Sequence, residues 1–262
     1  MTLFAVSLTL TLVFVALAVG ACKARALQGL GFTFCVLAVG SLAIAHPPLF
    51  VAWGGFELKR AISPLVQLIL FGMGMRLAPA DFLRVFQMPK GVVLCCGLHY
   101  TVMPIGGYCY TRAFGLEGAV ATGLILIGSV PTAAATSVIA LLARANVPLA
   151  VTAIAISTLV SPFVTPWMMK WLAGTYVPID AVVLMVSILK LIIAPLAFGF
   201  LVQHYLGNWT GRLVRVLPFV AMAAICLIIG VTVALSREQI LTMGWALFGA
   251  AACLNATGYL VG

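Results

Sequence analysis

Charge is what this 262-residue chain has least of: 7% of its residues are Asp, Glu, Lys or Arg, and only five are acidic. A soluble domain normally carries roughly a quarter charged residues, so this chain cannot cover a folded surface in water. The five acids, Glu57, Asp81, Glu117, Asp180 and Glu238, all fall in expected loops. With no H-E-x-x-H, P-loop or G-x-G-x-x-G pattern either, an enzyme using carboxylate or metal chemistry is not expected, and no cofactor is implied. None of the seven cysteines stands in C-x-x-C spacing; lying in or beside apolar runs, they read as small buried hydrophobes. A basic segment is also missing before the first apolar run, 2–22, which favours a membrane span over a cleaved signal peptide. Val19-Gly20-Ala21-Cys22 resembles a lipoprotein cleavage box but lacks the preceding positive residue.

What is present in excess is apolar: 64% of residues are hydrophobic. At about 20 apolar residues per span, the length allows eight to ten membrane helices and no separate soluble domain. The runs predict spans at 2–22, 28–45, 62–77, 91–111, 118–143, 149–172, 181–203, 213–235 and 241–262, which makes 1–262 one transmembrane domain. The formal charge of +9 would point to nucleic acid in a soluble protein; here it sits in loops and sets topology, so the expected partner is the lipid bilayer and not nucleic acid. Lys23, Arg25, Arg76, Arg84, Lys90, Arg144, Arg212 and Arg215 fall in alternate loops, against Lys59, Arg60, Arg112, Lys170 and Arg237 on the other side. The first set is cytoplasmic by the positive-inside rule.

One span is interrupted. Within Gly128–Pro166 an apolar helix meets Val130-Pro131-Thr132 and continues through Ala133, Ala134, Ala135, Thr136 and Ser137 before resuming apolar character. Pro131 cannot donate to the preceding turn and its ring clashes with it, so backbone groups around the break lose their partners. Lipid cannot replace them, and such a break persists only where protein or a water-filled cavity covers it. In secondary transporters these half-helix ends bind substrates and ions; the alternative is a simple proline kink.

The same stretch resembles the bile acid:sodium symporter family, whose members carry a C-P-G-G-x-A-S-N-V turn followed by a helix ending S-T-L-x-x-P-x-x-T-P. Ser157-Thr158-Leu159, Pro162, Thr165-Pro166 and Ala173-Gly174 match that ending, while Thr132 and Ala133 stand where the turn has two glycines. Phe71-Gly72-Met73-Gly74-Met75, Met103-Pro104, Lys190 with Pro195 and Gly199, and Asn255 with Gly258-Tyr259-Leu260 follow the family in order, over about residues 28 to 262. The resemblance implies an all-α integral membrane protein of about nine transmembrane helices, an inverted-repeat secondary transporter with a broken crossing helix. Its first repeat would be 28–172 and its second 181–262, with 2–22 an extra N-terminal helix. Cys96-Gly97-Leu98-His99 would then face Ala252-Cys253-Leu254-Asn255, and Pro64 would face Pro218.

The family's second broken helix, an E-V-G-M-Q-N-S-type segment, does not follow before Gly262, so the second repeat reads as incomplete. That segment completes two sodium sites in the family. By carry-over, the first site's polar pair falls on Thr136 and Ser137, a partial sodium site, but its two hydroxyls fall on Ala150 and Ile154; the second site's glutamine falls on His99. Sodium is therefore the coupling ion the resemblance implies, with an incomplete ligand set. His99 reads either as a proton-exchanging group or as a neutral imidazole bonded to a carbonyl or to Tyr100. Lys190, near mid-span, either snorkels along its stem or contacts an anion.

The resulting expectation is a multi-pass protein of a bacterial inner membrane that moves a small organic anion by alternating access. Pro131, Thr132, Thr136, Ser137, His99, Asn255, Ser157 and Thr158 are its candidate substrate or ion residues. The competing expectation is an inactive, truncated remnant that inserts without transporting.

Overall fold

The computed structural model describes residues 2–23, 28–77, 88–133, 136, 139–140 and 143–261. Its elements are α1 (Thr2–Lys23), α2 (Gln28–Ala45), a short α3 (Pro48–Val51), β1 (Ala52–Trp53), β2 (Phe56–Glu57), α4 (Ile62–Gly74), α5 (Pro89–Ala113), α6 (Gly118–Ser129), α7 (Val147–Met168), α8 (Ala181–Ile188), α9 (Ala194–Leu235) and α10 (Arg237–Val261). Among the described residues, five stretches are long and apolar enough to cross a membrane: Pro89–Ala113, Val147–Ala173, Ala181–Leu206, Leu213–Leu235 and Arg237–Val261. The all-α membrane fold expected from the apolar runs is the one observed. Arg25, Asp81, Arg84 and Ser137 lie outside the described residues.

Two compact units emerge. The first takes residues 1–76 and 195–242. In it α1 and α2 pack as a pair, tied by Thr11, whose hydroxyl lies 2.8 Å from the Ser7 carbonyl and 3.2 Å from Ser41 Oγ. The predicted extra helix thus joins the first core helix. Between α2 and α4, β1 and β2 form a two-residue antiparallel hairpin in which Trp53 pairs with Phe56.

α4 meets the first part of α9 backbone to backbone. A Cβ at Gly74 would overlap the Leu196 carbonyl, and one at Gly199 the Phe71 carbonyl, so each helix needs glycine where the other's chain passes. The predicted spans 181–203 and 213–235 run as Ala181–Leu206 and Leu213–Leu235, with residues 207–212 joining them within the helical stretch Ala194–Leu235. Leu196 and Leu217 nevertheless both lie against the Gly72–Gly74 turn. In a straight helix they would stand about 31 Å apart. The chain therefore folds back between them, and two spans remain.

The second unit takes residues 77–194 and 243–262. Its core has two clusters, one built on Leu116, Ala121, Leu124, Ala250 and Leu254, the other on Ile125, Met169 and Ala173. α6 is central to both, since Leu124 and Ile125 point into different clusters and both are fully buried. α10 is fastened to α5 by a 2.7 Å hydrogen bond between Tyr110 and Thr257 and by Met103 packing on Gly258. α7 passes directly into a wide five-residue turn at Met169–Ala173, and α8 into another at Leu189–Ile193.

Candidate functional site

The site is the interruption after α6. Val130 stands before proline, where steric conflict with the proline ring disfavours helical backbone. It is accordingly extended, with φ −75° and ψ 157°, and α6 ends at Ser129. A helical turn resumes with the Thr136 amide donating to the Ala133 carbonyl at 3.0 Å. The break expected from Pro131 is present.

Three side chains from two other helices close it. From α5, His99 Nε2 donates to the Val130 carbonyl at 2.9 Å. A carbonyl only accepts, so the nitrogen facing it carries a hydrogen. From α7, the Thr165 hydroxyl donates to the Ser129 carbonyl at 2.6 Å, and Ser157 Oγ accepts from the Thr132 amide at 3.3 Å. Ser157 is itself fixed: its hydroxyl donates to the Ile154 carbonyl at 3.0 Å, and its own carbonyl accepts the Tyr100 hydroxyl at 2.7 Å. Tyr100 also presents its ring at 77° to His99, with centroids 5.2 Å apart. Three of the backbone groups around the proline break, the Ser129 and Val130 carbonyls and the Thr132 amide, are thus taken up by protein, as membrane depth demands.

α7 supplies these groups because Ser157, Ser161 and Thr165 recur every four residues, on one face of the helix, and all three are buried. Ser161 has a separate task. Pro162 leaves the Thr158 carbonyl without its helical donor, and the Ser161 hydroxyl donates to it at 2.9 Å. The helix starts where the sequence allows, with Asn146 Oδ1 accepting from the Leu149 amide at 3.0 Å and Pro148 in the first turn.

Of the residues singled out from sequence, His99, Pro131, Thr132 and Ser157 come together at the break. Thr136 follows in the next turn, and among the described residues the hydroxyls of Thr132 and Thr136 carry no hydrogen bond. Thr158 instead donates to the Ile154 carbonyl of its own helix at 2.8 Å. Asn255 is exposed on α10 and its amide donates to the Ala251 carbonyl at 2.9 Å, so no described hydrogen bond joins it to the break. Ser137 lies outside the described residues. Sequence reasoning named Tyr100 only as a possible partner of His99 and Thr165 only as part of the family ending, not as site residues; the four-residue hydroxyl spacing from Ser157 was the signal that would have found Thr165.

His99 tests the closure directly. His99→Leu leaves a carbonyl without its donor at membrane depth and is expected to cost about 1–3 kcal/mol, whereas His99→Gln keeps an N–H and should cost less. Thermal unfolding of the purified protein in detergent checks the order; equal losses would show that the imidazole's volume, not its hydrogen bond, matters.

A multi-pass α-helical membrane protein with a proline-broken helix held between two others has the build of a secondary transporter. The family model of the sodium bile acid symporters matches residues 63–243, and the chain belongs to that family. It is 32% identical over 238 residues to a chloroplastic protein of Oryza sativa subsp. japonica named probable sodium/metabolite cotransporter BASS1, covering 89% of this chain and 56% of that one. It is 30% identical over 234 residues to YocS of Bacillus subtilis (strain 168), named an uncharacterized sodium-dependent transporter, covering 89% and 71%. A third relative, named probable sodium/metabolite cotransporter BASS3, chloroplastic, of the same rice, is 29% identical over 228 residues, 87% of this chain and 53% of its own. The chain thus spans little more than half the length of both plant relatives. All three carry transporter names.

Proposed function

We propose that this chain is a secondary transporter of a small organic anion, located in a bacterial cytoplasmic membrane, with the break between α6 and Thr136 as its binding element. The observation that carries this reading is the closure by His99, Ser157 and Thr165. These side chains occupy the stranded backbone groups and leave the hydroxyls of Thr132 and Thr136 for a ligand. A half-helix resuming after the break, as the sequence leads one to expect, would present its positive dipole end here and favour a carboxylate.

The bacterial relative supports the cellular setting, and the names of the relatives supply both sodium and a metabolite as cargo. The division of the chain into two units supports the repeat pairing. α2 and α4 fall in one unit with the helical stretch after Pro195, and α5 falls in the other with most of α10. Equivalent pieces of two repeats thus share a unit, a division suited to alternating access.

A panel of carboxylates graded from short-chain acids to a bile acid, scored by thermal stabilisation of the purified protein, tests the reading. Ligands stabilise only the state they bind. The double substitution Thr136→Ala and Ser137→Ala is expected to abolish carboxylate-dependent stabilisation while leaving the ligand-free melting temperature nearly unchanged. An equal loss without ligand would make these residues structural caps, and a panel with no stabilising member would remove the anion reading.

A further inference from the structure

The span Ala181–Leu206 carries one formally charged side chain, Lys190, and it stands within one helical turn of the middle. Nine residues separate it from Ala181, about 13 Å of helix. Leu206 is farther still. With a hydrocarbon core about 30 Å thick centred on this span, the nearer edge lies about 10 Å from Lys190 along the axis, farther than a four-carbon stem reaches, so snorkelling does not free the ammonium. Among the described residues Lys190 has no carboxylate partner, the one ion pair being Arg60 with Glu57. It is exposed, and its neighbour one turn earlier on the same face, Ser187, is exposed too. The backbone is unusual at this point. The wide turn Leu189–Ile193 ends with the Ala194 amide bonded to the Leu189 carbonyl, a five-residue step that occurs mostly as single turns and is frequent at functional sites.

An unpaired cation at this depth is costly in lipid and is relieved only by water or by an anion. We propose that the Ser187–Lys190 face borders the aqueous path of the transporter, and that the Lys190 ammonium pairs with the carboxylate of the transported anion. This assignment rests on the anion reading for its ligand, but not for its exposure to water. Ser187 adds a neutral hydrogen-bonding group beside the charge. An apolar side chain at 190 would leave the path without a fixed positive charge on this helix.

The test uses the full chain reconstituted in liposomes. Lys190→Cys and, separately, Ser187→Cys are treated with a membrane-impermeant anionic thiosulfonate and with a lipid-soluble maleimide, and the peptide containing the new thiol is read by mass spectrometry. The expected result is modification of both thiols by the anionic reagent. Reaction with the maleimide alone at both positions would place this face in lipid and overturn the proposal, whatever the outcome of the carboxylate panel. If only one variant folds, that variant decides. With a stabilising carboxylate from the panel as probe, Lys190→Gln should weaken binding about ten- to hundredfold and Lys190→Arg should retain most of it. Equal binding by all three forms would remove the ion pair while leaving the anion reading intact. A panel without a stabilising member would remove that reading, and the thiol chemistry would still decide whether Lys190 faces water.

Discussion

Replacing Gly128 with alanine is expected to lower stability by about 3 kcal/mol, at the upper end of what overpacking usually costs. Gly128 sits one residue before the end of α6, where that helix crosses α5, and an added Cβ would overlap the Met103 carbonyl and the Cα of Pro104. Every atom it meets is backbone. No side chain can rotate away, so α5 and α6 must separate, and the separation falls beside the bond from His99 to Val130. Gly123, in the same helix, has nothing within 4 Å of the place a Cβ would take. Gly123→Ala should therefore be neutral or stabilising by roughly 0.5–1 kcal/mol, since alanine favours helix interiors over glycine. Thermal unfolding of both variants in detergent makes the comparison. Equal behaviour would mean that the backbones of α5 and α6 stand farther apart at Gly128 than such an overlap requires.

Sodium, titrated to the hundred-millimolar range against a matched potassium series, is expected to leave the melting temperature without sodium-specific change. The relatives are named for sodium, and the family resemblance assigns two hydroxyl ligands of its first site to positions occupied here by Ala150 and Ile154. Neither side chain has an oxygen. Both lie on α7 in the turns before Ser157, and the Ile154 carbonyl already accepts the hydroxyls of Ser157 and Thr158. A ligand to a charge contributes about 1.5–3 kcal/mol, so losing two costs roughly 3–6 kcal/mol, or two to four decades in affinity. At the second site, His99 spends its Nε2–H on a carbonyl and offers at most the Nδ1 nitrogen, where the family resemblance has a glutamine oxygen, a poorer ligand for a hard cation. Saturable stabilisation of the unmodified protein at millimolar sodium would show that the carry-over has misplaced the ligands.

The histidine illustrates what a sequence leaves open. From residues alone His99 is an imidazole in a membrane span, read more readily as bonding a neighbour than as exchanging a proton. The structure supports the bonding role, because the carbonyl it reaches belongs to a residue 31 positions away on another helix. Thr165 is a similar case. In sequence it is one hydroxyl of a Thr-Pro pair, and only the packing of α7 on α6 turns it into the donor for Ser129. Asn255 fell the other way: its alignment opposite His99 drew attention, yet its amide bonds back to its own helix.

Composition and residue order were enough to establish that the chain is a membrane protein, roughly where its spans lie, and that α6 must break. Apolar length decides the spans, and a proline decides the break through the hydrogen bond it cannot make and the backbone it forbids to Val130. These are local constraints, legible one residue at a time. Packing was needed to settle how the break is closed, how closely α5 passes Gly128, and that the chain reverses between Leu196 and Leu217 against α4. Each depends on which helices become neighbours. In a chain where nearly every face is apolar, hydrophobicity does not choose among them; backbone fit at glycine and the few available hydroxyl and imidazole partners do.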